Sequence, residues 1–336
     1  MGVSRASRSL RRAAPPGSLR PVPGPATARS GRRPALGYAM ILGASALFAA
    51  NGAVSKVVLT SGISSLRLTE VRCTGALVGF LVIARLRGSS LRFGLRELPF
   101  FLLFGVFGLA LVQLLYFTAI KHLPIGVGLI IEYVAPVGIA AWTQLVWKRP
   151  LPRAVWVALG AALIGLAMVV ELWRGTSLDV VGVLAALGAA VTYGSYVLAS
   201  EHGVRSRDTV SLTAIGFVLA ALFYAIVQPW WSFPFAQSAA TISLDGHLAG
   251  AHAPVWALYL WVIVLGGVAP FLLYFGSVRH IGAARASLMA MTEPVLASIV
   301  AYAWLGETFG VWQLVGGIVV LGALALAQTL GRSGHE

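Results

Sequence analysis

Residues 116–137 read YFTAIKHLPIGVGLIIEYVAPV, and residues 274–295 read YFGSVRHIGAARASLMAMTEPV. The two stretches align without a gap. Tyr116-Phe117 matches Tyr274-Phe275, Lys121-His122 matches Arg279-His280, and Pro136-Val137 matches Pro294-Val295. In each copy a basic, wet turn precedes an apolar helix with a proline part-way along it. Proline has no N–H, so the carbonyl four residues earlier loses its helical partner. Those carbonyls belong to Glu132 and Ala290. A matched pair of interrupted apolar segments, one in each half of a chain, points to a solute-binding site at the middle of a membrane.

The composition fits that setting. Of 336 residues, 58% are hydrophobic and 11% charged, whereas a soluble domain carries about a quarter charged residues. The apolar residues fall in runs close to the length that spans a bilayer. The net charge of +14 does not mark a nucleic-acid binder. It sits largely in the N-terminal tail and in alternate short loops, where it sets topology. The single Cys73 excludes an intramolecular disulfide and any multi-cysteine metal site.

Residues 1–35 carry eight arginines from Arg5 to Arg33, five prolines before Pro34 and no acid. Such a segment cannot bury a core and is expected to be a disordered, basic cytoplasmic tail. Its Arg-rich, acid-free start also resembles a transit peptide, but the Pro/Gly clustering opposes an amphipathic helix. Ten spans follow, at about 36–59, 67–84, 98–120, 125–147, 154–173, 180–200, 210–231, 255–278, 283–305 and 311–330. With a cytoplasmic N-terminus, the cytoplasmic loops hold Arg85, Arg87, Arg92 and Arg96; Lys148, Arg149 and Arg153; Arg205 and Arg207; and Arg279 and Arg285. The outer loops hold only Arg67, Lys121 and Arg174. Removing one span would invert every later loop and destroy this bias. Five spans per half is an odd number, so the halves lie upside-down relative to one another. The expected fold is an all-α integral membrane protein, with ten transmembrane helices in two inverted five-helix repeats. The repeats cover 36–173 and 178–330, and a short cytoplasmic tail covers 331–336.

Ionisable residues inside spans are functional candidates by default. Glu132 lies one turn before Pro136, at mid-span, where a carboxylate can bind a substrate amine or take up a proton. Glu293 precedes Pro294 and aligns with Ala135, three positions from Glu132, so both acids face one cavity from opposite halves. Arg72 can counter Glu132 or a substrate carboxylate, or snorkel to the interface. Glu70, two residues away, faces elsewhere, and Arg67 reads as interfacial. Lys56 reads as snorkelling, and Asn51 and Gln113 as interhelical hydrogen-bonding groups. Tyr116, Tyr133, Tyr193, Tyr196 and Tyr274 line a cavity or pack as aromatic belt. Gly306-Glu307-Thr308 reads as a turn that starts a helix. Glycines recur within the spans, Gly165 and Gly316 among them, and let helices approach closely. The sequence contains no P-loop, GxSxG or HExxH motif and no Cys/His cluster with ligand spacing, so neither an enzyme nor a metal or other cofactor is expected.

The run from Glu293-Pro294-Val295 to Leu305-Gly306-Glu307-Thr308, followed by Trp312-Gln313 and Gly316-Gly317, resembles the EamA-like branch of the drug/metabolite transporter superfamily. The resemblance covers roughly residues 36–330 and is strongest in the second repeat. The first repeat departs from the pattern, with Ala135-Pro136 for Glu-Pro and Trp147-Lys148-Arg149-Pro150 for Gly-Glu. Its Ile131-Glu132-Tyr133 looks like the threonine/homoserine exporter subgroup. The resemblance implies a plasma-membrane exporter of amino acids or similar small metabolites, driven by proton exchange. The expected partners are therefore a small-molecule substrate, the lipid bilayer and protons, and no nucleic acid; a homodimer is one open arrangement. An importer of a sugar or nucleotide-like solute stays open within the class. A membrane-embedded enzyme and a non-transporting scaffold are the readings from other classes.

Overall fold

A proline after a basic residue starts the first helix, α1 (Pro34–Thr60), in a computed structural model that describes residues 33–146, 148, 153–169, 173, 178–281, 286, 289–290 and 292–330. The tail to Arg32 and residues 331–336 lie outside the described residues. After α1 come α2 (Ser65–Arg87), α3 (Leu95–His122), α4 (Ile125–Glu132), α5 (Ala135–Leu145), α6 (Arg153–Val169), α7 (Val180–Ser206) and α8 (Thr209–Val227). The second part continues with α9 (Val255–Ile263), α10 (Ala269–Ile281), α11 (Glu293–Val300) and α12 (Val311–Leu330). Caps set several of these bounds. The Ser64 hydroxyl accepts from the Arg67 N–H at 3.1 Å, and Asp208 accepts from the Ser211 N–H at 3.0 Å. Gly88 ends α2 at a φ of 66°, a conformation that costs a residue with a Cβ more than it costs glycine.

Among the described residues four helices are long and apolar enough to cross a bilayer: Pro34–Thr60, Leu95–His122, Thr209–Val227 and Val255–Tyr274. Shorter apolar helices join them at Ile125–Ile139, Val155–Val169, Val180–Tyr196, Glu293–Leu305 and Val311–Ala323. The architecture is therefore largely helical. One expectation needs an addition: the long loop before α9 is not featureless. It folds into an antiparallel hairpin, β1 (Thr241–Ser243) on β2 (His252–Pro254), with Ile242 paired to Ala253.

Among the described residues π-helical turns lie at Leu103–Ala110 within α3, at Val264–Val268 joining α9 to α10, and at Ala301–Leu305 directly after α11. The first two fall at equivalent places when the alignment of the duplicated stretches is carried upstream, with Gly108 opposite Gly266. Pro270 accounts for the second. It cannot donate to the Gly266 carbonyl, so the ladder loosens there.

Contacts gather the helix ends into two groups. At the face where α1 ends, called distal here, the Thr60 hydroxyl donates to Asp245 at 2.6 Å and the Trp304 indole to the Leu244 carbonyl at 2.8 Å. His122 also lies 3.4 Å from Asp179. At the proximal face Arg207 pairs with Glu97 at 2.8 Å, and Ser89 donates to Asp208 at 3.2 Å. The Gly94 N–H, and then Arg207, hold the exposed Glu97 carboxyl below the usual carboxylate range. Its share of stability is therefore present at neutral pH and is lost only as pH falls through that lowered value.

Arg67 was expected at the interface, yet it is 2% exposed. It pairs with Glu70, three residues along α2, and donates to the Ser232 carbonyl and hydroxyl at 3.0 Å each. The pair spares both groups an isolated charge inside the bundle. Glu70→Ala strands the guanidinium and should cost about 3 kcal/mol. A thermal melt of the purified variant measures this, and an unchanged melting temperature would contradict the assignment.

α4 occupies the centre. All its residues from Ile125 to Glu132 are buried. Ile125 and Leu129 pack with α1, α2, α9 and α11, while Val127, Ile130 and Ile131 pack with α6, α7 and α12. A helix apolar on every side needs such surroundings. The outer helices approach closely where glycines meet: a Cβ on Gly165 would lie 2.8 Å from the Gly316 carbonyl oxygen.

Candidate functional site

The proline rule places the site. α4 ends at Glu132, Tyr133 and Val134 form a turn, and α5 restarts with Pro136 in its first turn. The second copy behaves alike from Thr292, with Glu293 opening α11 and Pro294 buried behind it. The Ala290 carbonyl, freed by Pro294, does not stay without a partner. The Tyr133 hydroxyl lies 3.2 Å from it and 3.0 Å from Glu293 Oε2, and its single proton serves those two acceptors. The two breaks therefore meet, and a side chain of one closes the hydrogen bonding of the other.

Arg72 repeats the arrangement. Its Nη2 donates at 2.6 Å to the carbonyl of Gly266, which Pro270 frees. The guanidinium is 5% exposed, stands 5.4 Å above the Phe117 ring, and leaves Nε with no hydrogen-bond partner. It lies within electrostatic reach of Tyr116, Glu293 and Glu132. It does not snorkel. Glu132 is 9% exposed and accepts no hydrogen bond among the described residues.

Aromatic rings flank the acids. Tyr133 and Tyr193 have centroids 6.2 Å apart, Tyr193 and Tyr196 6.3 Å, and Tyr196 stacks on Phe104 at 5.3 Å. Tyr193 is also within electrostatic reach of Tyr274, Glu293 and Glu132. Asn51 is 1% exposed and packs on Gly266, its Oδ1 without a partner. Gly52 makes room for the Tyr116 hydroxyl, which a Cβ there would approach to 2.9 Å.

Asn51, Arg72, Tyr116, Glu132, Tyr133 and Glu293 thus form one neighbourhood. Gln113 and Glu70 contribute differently. Gln113 donates to the Leu109 carbonyl of its own helix at 2.9 Å, and Glu70 is engaged by Arg67. Lys56 does not snorkel either: it pairs with Glu307. Gly266 reads from the sequence only as one of the span glycines, yet the carbonyl rule used at Pro136 and Pro294 also picks it out when applied to Pro270. Glu307 gave no comparable signal, because its partners are distant in sequence.

The charges at this centre do not balance. One guanidinium faces two carboxylates, so with both ionised the site holds one uncompensated negative charge. In a bilayer that favours uptake of a cationic group, either a proton or a substrate ammonium. Tyr133→Phe would remove the hydroxyl that joins the two breaks and leave the Ala290 carbonyl without a donor. The expected cost is about 1.5–3 kcal/mol. A melt indistinguishable from that of the parent chain would show that the bond contributes nothing.

Comparison with known proteins gives the following. The family model described as "EamA-like transporter family" matches residues 35–171 and 180–329. The threonine/homoserine exporter RhtA of Escherichia coli (strain K12) is 26% identical over 273 residues, covering 81% of each chain. The uncharacterized transporter YwfM of Bacillus subtilis (strain 168) is 25% identical over 236 residues, covering 68% of this chain and 74% of its own. A solved structure superposes with a TM-score of 0.57 at 22% identity, covering 90% of this chain and 100% of the other, and so shares the fold.

Proposed function

The chain belongs to the EamA-like transporter family, a multi-pass membrane transporter of the drug/metabolite transporter superfamily, and on that premise we propose that it is a secondary active exporter of a small amino acid. The carrying observation is the charge arrangement: Arg72 from one half faces Glu132 and Glu293, which stand at proline breaks of opposite halves. An amino acid supplies the matching pair of groups. Its ammonium answers the surplus carboxylate, and its carboxylate meets the unpartnered Nε of Arg72. Threonine and homoserine, named for the Escherichia coli relative, are the first substrates to test. Glu132 is the charge switch. It exchanges the substrate ammonium for a proton, so that efflux runs against proton entry.

The proposed topology is ten crossings in two inverted five-helix repeats, 36–173 and 178–330, with both termini in the cytoplasm and the protein in the plasma membrane. The alternating grouping of helix ends supports it. Thr60, His122, Asp179 and Trp304 gather at the distal face, while Ser89, Glu97, Arg207 and Asp208 gather at the proximal one. Arg92 and Arg207, from two of the loops predicted to be cytoplasmic, belong to the proximal group.

Inverted membrane vesicles provide the test. Labelled threonine or homoserine should accumulate when the lumen is made acidic, and should stop doing so when the gradient is collapsed. Equal uptake with and without the gradient would exclude proton exchange. No uptake of either amino acid above that of vesicles lacking the protein would exclude this substrate class.

A further inference from the structure

Besides Arg67 and Glu70, Lys56 and Glu307 also pair outside that centre, and they meet at the distal end of α4. Glu307 uses both carboxylate oxygens. Oε1 pairs with Lys56 Nζ, and Oε2 accepts from the Ile125 backbone N–H at 2.9 Å. Lys56 Nζ also donates to the Leu123 carbonyl at 2.8 Å. One acid after α11 therefore holds the end of α1 and the first residue of α4 together. The Ile125 N–H is one of the donors that a helix start leaves free, and a carboxylate is favoured there by the helix dipole. The next residue fits just as closely: a Cβ on Gly126 would lie 3.1 Å from the Phe309 ring and closer still to the Ser298 hydroxyl. At its other end α4 carries Glu132, followed by Tyr133 bound to Ala290 and Glu293. The second half thus grips this eight-residue rod at both ends. At the helical rise it is roughly 12 Å long.

We propose that the contact of Glu307 with Lys56 and Ile125 is the distal gate of the transport path, and that α4 couples this gate to occupation of the centre. The inference rests on the alternating-access reading above. The chemistry suits a contact that opens. The Lys56 and Glu307 side chains are 19% and 11% exposed, so both have access to the surface and separating them changes their burial only modestly. The Arg67–Glu70 pair, at 3% and 0%, has no such access and acts as a fixed staple. A hydrogen bond weakens steeply once stretched past its normal length. A small shift of the α4 rod when a solute engages Glu132 is therefore enough to release Ile125 from Glu307.

The test uses the full chain with Cys73→Ser, which removes its single, buried cysteine, and Ser298→Cys, which places a thiol beside Gly126. Intact cells and inverted vesicles are treated in parallel with a membrane-impermeant maleimide and no added substrate. Glu307→Gln and Lys56→Met should each raise the labelling rate at position 298 about tenfold from the distal side, as loss of a charge-assisted bond implies. Lys56→Arg, which keeps the pair, should label at the parent rate. Folded variants that label at the parent rate from both sides overturn the gate. If only Glu307→Gln misfolds, Lys56→Met decides alone, and misfolding of both marks a structural staple and also overturns the gate. Labelling needs no substrate, so a failed threonine assay leaves the gate standing, and unchanged labelling leaves the transport reading intact.

Discussion

Glu132→Gln is expected to leave a folded protein in the membrane and to reduce gradient-driven accumulation in inverted vesicles at least about thirtyfold, the loss that follows when one member of a desolvated charge pair is removed. The amide keeps the shape of the side chain and removes both its charge and its proton. Glu132 accepts no hydrogen bond among the described residues, so little of the fold depends on it. The pH response is the sharper measurement. In the parent chain an acidic lumen should raise uptake, because protons arriving from that side displace the substrate ammonium from Glu132. In the variant the residual rate should be flat across the same gradient. Uptake at the parent rate with the parent pH profile would end the assignment of Glu132 as the switch.

Arg72→Met should do the opposite to stability. It removes the cation that faces two carboxylates and leaves the Gly266 carbonyl without its donor. Breaking a buried charge arrangement from one side costs about 3–5 kcal/mol. Binding of threonine, read as a ligand-induced rise in melting temperature, should be lost as well. Adding Glu293→Gln to Arg72→Met should recover part of the stability, because the centre then carries one surplus charge fewer. It should not recover binding, since no cation remains for the substrate carboxylate. A double variant no more stable than Arg72→Met alone would show that Arg72 and Glu293 are not energetically coupled. Arg72→Lys separates charge from shape. An ammonium cannot hold the Gly266 carbonyl and also present a planar second donor, so stability should return further than affinity.

The positions of the breaks could be read from the sequence because proline acts locally. Pro136 and Pro294 each disable one carbonyl at a fixed offset, and the duplication marked them as equivalent. The pairing of those breaks was less accessible. Tyr133 reaches Ala290 and Glu293 across 157 and 160 residues of chain. The duplicated pattern offers no reciprocal donor, because Met291 stands where Tyr133 has its equivalent. Arg67 and Lys56 were misjudged for a related reason. A basic residue near a helix end suits the interface; Glu70 stands within one turn of Arg67 and was readable locally, but only folding brought Ser232 to Arg67 and Glu307 to Lys56.

The sequence alone determined an apolar chain in which two copies of an interrupted helix carry acids at mid-span. Those properties follow from side-chain hydropathy, from the missing proline N–H and from the spacing of like segments, all of which act over a few residues. Which carbonyl meets which donor was decided by the tertiary structure. Arg72 on Gly266, Tyr133 on Ala290 and Glu307 on Ile125 all join helices far apart in the chain. The physical reason is the bilayer itself. With no water to satisfy a freed backbone group, the partner must come from another part of the protein, and packing alone determines which part that is.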